Sequence, residues 1–425
     1  MKILVIGGGG REHALIWALA KSKRGPELFC APGNAGIAEL ADCIGIKPYQ
    51  TKELADFAGQ NGVDLTIVGG ETSLAAGVVD EFEKRGLRIM GPSQNASRLE
   101  SSKIFAKEFM RRHDIPTAKF FTAGTAAEAK EILARGEFGD IDSPAVIKAD
   151  GLAAGKGVVV AKNRAEAEDA VDEIMGGKLV SKDASEKILL EEALMGKEIS
   201  LLLFVDGENY ALMPPARDHK RIGEGDTGPN TGGMGVITDG RMLTPENLKK
   251  ITEDIVEPTI AGAAAEGFPF KGILFLGLMM TPESPKVLEY NVRFGDPEAE
   301  AILARLETDL VDVCGAIIDG TLDQTPIEWK DGCSAVVMLA ARGYPGDPET
   351  GGVISGLDIV KGQQNVVVLH AGTALNAHGQ VITAGGRVLA VTATASNLTG
   401  AIHRCYKAVN EISWDGMYFR RDIGK

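Results

Sequence analysis

Hydrophobic runs at residues 3–6, 28–30, 65–68 and 88–90 alternate with segments 12–21 and 75–85, in which apolar positions recur at helical spacing. Short apolar strands alternating with amphipathic helices predict a parallel sheet covered by crossover helices. Gly91-Pro92 punctuates the pattern. Ser101 or Ser102 then stands where it can cap a helix carrying Phe105, Phe109 and Met110. A domain boundary is expected near residue 100.

The pattern then changes. Residues 145–148 and 158–161 read as strands around a glycine-rich turn, followed by a helix over 164–175. Runs 199–205 and 209–213 are separated by Asp206-Gly207, a strong hairpin signal that brings in antiparallel pairing. Beyond residue 320, strand-like runs at 334–341, 366–371 and 387–394 lie among many glycines and suggest a third, smaller domain. The fold class is α/β throughout.

At 425 residues with 44% hydrophobic and 24% charged positions, the chain can build several ordinary cores. A net charge of −14 opposes non-specific binding to nucleic acid or anionic membrane, so an anionic ligand requires a local positive pocket. The longest apolar stretches, such as 272–280, fall short of the ~20 residues of a membrane span. Residues 1–6 run into four glycines rather than a cleavable signal region, and a cytoplasmic location is expected. Five cysteines without C-x-x-C spacing suggest neither a disulfide framework nor a zinc site.

Two glycine clusters invite chemistry. Gly7-Gly8-Gly9-Gly10 after a strand and before a helix resembles a dinucleotide fingerprint, but its third glycine position falls on Glu12. A phosphate loop for another ligand and a tight turn remain open. The second cluster, Gly151-Leu152-Ala153-Ala154-Gly155-Lys156-Gly157, is not a Walker A loop. Its spacing is one residue short, Gly157 replaces the magnesium-binding Ser or Thr, and it joins two strands. A hairpin lid carrying backbone N–H groups and Lys156 over phosphates, with Lys148 reaching in from the strand, fits better.

Strand alternation over 287–293 places Glu289, Asn291 and Arg293 on one face and Leu288, Tyr290 and Val292 on the other. Two oxygen donors beside a guanidinium suit Mg²⁺ and a transferring phosphoryl group. A strand with one solvent face is the bland alternative, although Phe294-Gly295-Asp296-Pro297-Glu298 follows at once. Glu191 ends a strand that could offer backbone groups to a purine, and Glu198 could accept ribose hydroxyls. Asp218-His219-Lys220-Arg221 before a glycine-rich loop forms a natural anion grip.

Taken in order, these segments resemble the ATP-grasp superfamily and, within it, the phosphoribosylamine–glycine ligase family. Residues 7–15, 34–38, 148–161, 218–235, 289–298, 342–346, 370–373, 385–393 and 414–424 carry the likeness. It implies an N-terminal substrate-binding domain over 1–100, an ATP-grasp domain over 101–324 with a mobile lid at about 121–191, and a C-terminal domain over 325–425. The implied reaction joins glycine to 5-phosphoribosylamine with ATP and Mg²⁺ or Mn²⁺, through glycyl phosphate, in a monomer.

The resemblance also assigns residues. Lys103, Lys148, Gly155, Lys156 and Gly157 would hold the ATP phosphates, Glu191, Glu192 and Leu194 the adenine, and Glu198 the ribose. Glu289 and Asn291 would hold the metal. Arg293, Lys156 and Asp218 would be catalytic. Gly8, Gly9, Gly10, Asn34, Glu71 and Lys220 would bind substrate, with Asp218, Arg293, Gly295 and Asp296 around glycine. A sister ATP-grasp ligase or carboxylase, a nicotinamide oxidoreductase and a non-catalytic nucleotide sensor are the competing readings.

Overall fold

A computed structural model of the chain describes residues 1–152, 157–177 and 186–425. Residues 2–90 form a five-stranded, all-parallel sheet in the spatial order Asp42–Cys43, Glu27–Pro32, Lys2–Gly7, Leu65–Val68, Ile89–Met90. The strand order reverses between Lys2–Gly7 and Leu65–Val68. In such sheets the crevice beyond the carboxyl ends of the strands at that reversal is the usual ligand position. The loops leaving these two strands, Gly8-Gly9 and Gly69-Gly70, lead into helices that open with Gly10-Arg11 and with Glu71. The helix expected over 75–85 is split into Glu71–Ala75 and Val78–Lys84, because Gly77 takes a left-handed conformation at φ 78°.

Ser102 is the residue that caps the helix Lys103–Arg112: its hydroxyl accepts from Phe105 N–H at 3.1 Å and donates to Asp150 at 3.0 Å. Beyond this helix a four-stranded antiparallel sheet runs in the order Phe120–Ala123, Ile188–Glu192, Ala145–Ala149, Val158–Ala161. Helices Ala126–Ala134 and Arg164–Met175, capped by Thr125 and Asn163, close its core over Ile132, Ile147, Val171 and Leu190. This small sheet has its own core and contributes the edge that carries Lys148 and Glu191.

The largest sheet runs Pro285–Asn291, Lys271–Met280, Lys197–Asp206, Ala216–Asp218, Gly235–Thr238, Cys333–Ala340, Arg387–Ala395, Val366–His370. The expected hairpin at Asp206-Gly207 is present, with Val205 opposite Tyr210 and the Asp206 carboxylate accepting from the Glu208 and Asn209 N–H groups. The three C-terminal strands extend this same sheet through the pairing of Gly235 to Thr238 with Ser334 to Val337. They nevertheless enclose a core of their own against the helix Leu398–Val409. The cysteines are free thiols, four of them buried, and no helix among the described residues is long and apolar enough to cross a membrane.

The N-terminal unit is tied to the C-terminal strands by two buried histidines. His370 N–H donates to His13 Nδ1 at 2.7 Å, and His370 Nδ1 lies 3.0 Å from the Thr373 hydroxyl. Burial first, then the neighbouring His370, pushes His13 down to about 3; burial pushes His370 down to about 4. The unfolded chain protonates both near pH ~6.5, so it binds more protons than the native state below that value. The stability these neutral rings contribute is present above ~6.5 and is lost as pH falls toward about 4. Urea midpoints measured at about pH 7 and about pH 5 should therefore differ, and the difference should shrink in His13→Gln.

Candidate active site

A cleft of about 960 Å³ lies between the small antiparallel sheet, the large sheet and the mouth of the parallel sheet. Its floor is the strand Pro285–Asn291. Here the simple alternation is interrupted: Gly277 pairs with Glu289 but Leu278 pairs with Val287, leaving Leu288 as the extra residue of a bulge. The bulge turns the Leu288 carbonyl toward Lys148, whose ammonium donates to it at 3.2 Å. Glu289, Asn291 and Arg293 all line the cleft, while Tyr290 and Val292 pack in the core.

Glu289 is the electrostatic centre. Burial opposes its charge, but Lys220, Lys148, Lys103 and Arg293 outweigh that and hold its carboxyl below the usual range. Lys220 in turn pairs with Glu198 at 2.8 Å, and Glu198 and Glu289 raise its affinity for a proton against the cost of burial. Four cations thus converge on this end of the cleft, Lys220, Lys148 and Arg293 each also paired with a further acid, at Glu198, at Glu191 and at Glu71 with Glu100. The donor set of Glu289 and Asn291, one carboxylate and one amide oxygen, fits Mg²⁺, which takes few protein oxygens and completes its shell from phosphates and water.

The strand expected over 287–293 ends at Asn291, and Arg293, two residues beyond it, is oriented by acids from other elements. Its guanidinium lies 2.8 Å from Glu100 and 3.2 Å from Glu71, and donates to Asn291 Oδ1 at 3.2 Å. Glu100 also accepts from Val292 N–H at 2.7 Å, which fixes the end of the metal-side strand. Burial raises the Glu100 carboxyl even with Arg293 beside it. For Glu71, burial is outweighed by Arg293 and Arg11, and its carboxyl falls to about 2.

The opposite end of the cleft is acidic. Burial, then the charge of Glu298, pushes Asp218 well up, with Lys220 and Arg387 only partly compensating. Arg387 lies 2.8 Å from Asp296 and also donates to the Asp296 carbonyl at 2.7 Å. Gly233 passes so close to Asp218 and Pro297 that a Cβ there would lie 2.6 Å from the proline ring and 2.7 Å from a carboxylate oxygen. Carboxylates thus converge on a space that asks for a small cation.

Glu71, Lys103, Lys148, Gly157, Glu191, Glu192, Leu194, Glu198, Asp218, Lys220, Glu289, Asn291, Arg293, Gly295 and Asp296 therefore share one cleft. Gly155 and Lys156 lie outside the described residues. Gly8, Gly9, Gly10 and Asn34 are not among the residues that line it, and Gly8, Gly9 and Asn34 have partners within the fold. Gly9 N–H donates to Glu12 at 2.6 Å, so a carboxylate of the chain itself occupies the position a dinucleotide pyrophosphate would take. The Asn34 amide donates to the carbonyls of Gly8, His370 and Ala371 and accepts from Gly36 and Ile37 N–H. Sequence reasoning missed Arg11, Glu100, Glu298 and Arg387.

Comparison with known proteins agrees with this geometry. Residues 1–100, 101–299 and 334–425 match the N domain, the ATP-grasp (A) domain and the C domain of phosphoribosylglycinamide synthetase. The phosphoribosylamine–glycine ligase of Xanthomonas campestris is 48% identical, over 100% of this chain and 97% of the relative. The chain belongs to the phosphoribosylamine–glycine ligase family. The ligase of Caldanaerobacter subterraneus is 44% identical over 100% of this chain and 99% of its own length. The crystal structure of the Thermotoga maritima phosphoribosylamine–glycine ligase superposes with a TM-score of 0.85 at 33% identity, covering 99% of this chain and all of that one. A biotin carboxylase domain of Hydrogenobacter thermophilus, solved with magnesium ADP, shares the fold at a TM-score of 0.73 and 19% identity, over 98% of this chain and 91% of that one. Membership in the ligase family carries its activity, that of an ATP-dependent ligase of purine biosynthesis.

Proposed function

We propose that this cleft binds ATP against Lys103 and Lys148, glycine between Asp218 and Asp296, and 5-phosphoribosylamine toward Arg11 and Glu71, and joins the last two through glycyl phosphate. The observation that carries the reading is the polarity of one continuous cleft: four cations around Glu289 at one end and converging carboxylates at the other. Tri- and diphosphate charge suits the first end and the ammonium of glycine suits the second. Glu289 and Asn291 are the residues that would hold Mg²⁺, which when bound neutralises phosphate charge.

A carboxylate cannot accept an amine directly, because oxide would have to leave. A glycine carboxylate oxygen therefore attacks the γ-phosphorus and ADP departs. The amine of phosphoribosylamine then attacks the carbonyl carbon, phosphate leaves with the glycine oxygen, and the new amide loses a proton. Arg293, held by Glu71 and Glu100, faces the phosphoryl group during transfer. The protein supplies position and charge, and no side-chain nucleophile is required.

Replacing Asp218 with asparagine tests the glycine assignment. The variant keeps the shape but cannot ionise when the ammonium of glycine arrives beside it. KM for glycine should rise about a hundredfold, with KM for ATP within about twofold. Equal loss for both substrates would place Asp218 elsewhere in the mechanism.

A further inference from the structure

Behind the phosphate end of the cleft, two lysines flank one buried glutamate. Lys107, on the helix Lys103–Arg112, is 2% exposed, and Glu191 is 1% exposed. The Lys107 ammonium lies 3.2 Å from Glu191 Oε2 and donates to the Thr117 hydroxyl at 2.6 Å; that hydroxyl donates to the Val287 carbonyl at 2.6 Å. The other carboxylate oxygen, Oε1, lies 2.9 Å from the Lys148 ammonium, close enough for Coulomb attraction though off the axis of a hydrogen bond. Lys148 and Glu191 alone would form a neutral buried pair. Lys107 is retained although burial opposes its charge and brings it down to about 8.

We propose that Lys107 is a positioning residue for ATP: by engaging half of the Glu191 carboxylate, it leaves Lys148 with net positive charge to offer the phosphates. Without Lys107, Glu191 would neutralise Lys148 and draw it back to the wall. The Thr117 and Val287 contacts fix Lys107 against the strand that carries Glu289, so the cation that meets the phosphates is registered to the metal-side residues. The inference rests on the reading of Lys148 as a phosphate contact.

Equilibrium titration of ATP and of adenosine into Lys107→Met, Lys148→Met, Glu191→Gln and Lys107→Met/Glu191→Gln tests it. Lys107→Met should weaken ATP about tenfold and adenosine less than about twofold, because only the phosphates see Lys148. Added to Glu191→Gln, the same change should alter ATP binding by less than about twofold, since the carboxylate it counters is gone. This second comparison decides the matter even if Lys107→Met alone fails to fold. Equal loss of ATP and adenosine, unchanged ATP affinity, or a tenfold loss that persists beside Glu191→Gln would overturn the inference. ATP binding that survives Lys148→Met would instead sink the phosphate assignment itself.

Discussion

Replacing Arg293 with lysine should lower kcat about a thousandfold while leaving the protein folded. Lysine keeps a positive charge opposite Glu71 and Glu100, so the buried carboxylates are not stranded. It loses the planar fork that reaches two acids, the Asn291 amide and the Phe294 carbonyl together. A single ammonium cannot hold that orientation and also face a phosphoryl group in transfer. The contrast with Arg293→Met is informative. Methionine leaves Glu100 buried beside Glu71 without its ion-pair partner, Arg11 standing nearer Glu71, and should cost about 3–5 kcal/mol of stability in addition to the activity. Thermal unfolding and steady-state kinetics on the two variants separate these effects. A lysine variant with near-normal kcat would remove Arg293 from the chemistry.

Glu289→Gln should have the second largest effect, a fall of at least about a hundredfold in kcat/KM with magnesium ATP. The side chain keeps its shape and loses the charge that faces Lys103, Lys148, Lys220 and Arg293 together. Binding should change in a particular way. Magnesium ATP should bind more weakly, because an anionic ligand for the metal is gone, while metal-free ATP should bind at least as well, because a carboxylate no longer repels its phosphates. Titration with and without magnesium reads this directly. Parallel weakening of both forms would mean that Glu289 acts by shape rather than by holding metal.

The parts of this architecture that are local in the chain were legible from it. Short apolar runs marked the strands, Asp206-Gly207 marked a hairpin, and Ser101 or Ser102 marked the start of the helix that Ser102 caps. Glu289 and Asn291 could be read as one face because two-residue spacing resumes after the bulge at Leu288, whereas Arg293 reaches the same cleft from the bend past the strand's end. Contacts made between distant elements were not legible. Arg293 is oriented by Glu71 and Glu100, 222 and 193 residues nearer the amino terminus on two other helices, and no local spacing encodes their meeting.

The glycine loop and Asn34 show the converse difficulty. Their residue types suit ligand binding, yet Glu12 takes the Gly9 N–H and the 370–371 backbone takes the Asn34 amide from within the fold. Only tertiary structure reveals that. The C-terminal strands were likewise legible as strands, whereas their edge pairing with Gly235–Thr238 depends on register between segments about a hundred residues apart.

The account turns on a glycyl phosphate formed in the charged cleft, and transfer of heavy oxygen tests that step most directly. Glycine labelled in its carboxylate should be turned over with ATP, magnesium and freshly generated phosphoribosylamine. One labelled oxygen per turnover should appear in inorganic phosphate, in equal amount with the amide product. Phosphate free of label, with amide still formed, would contradict the account.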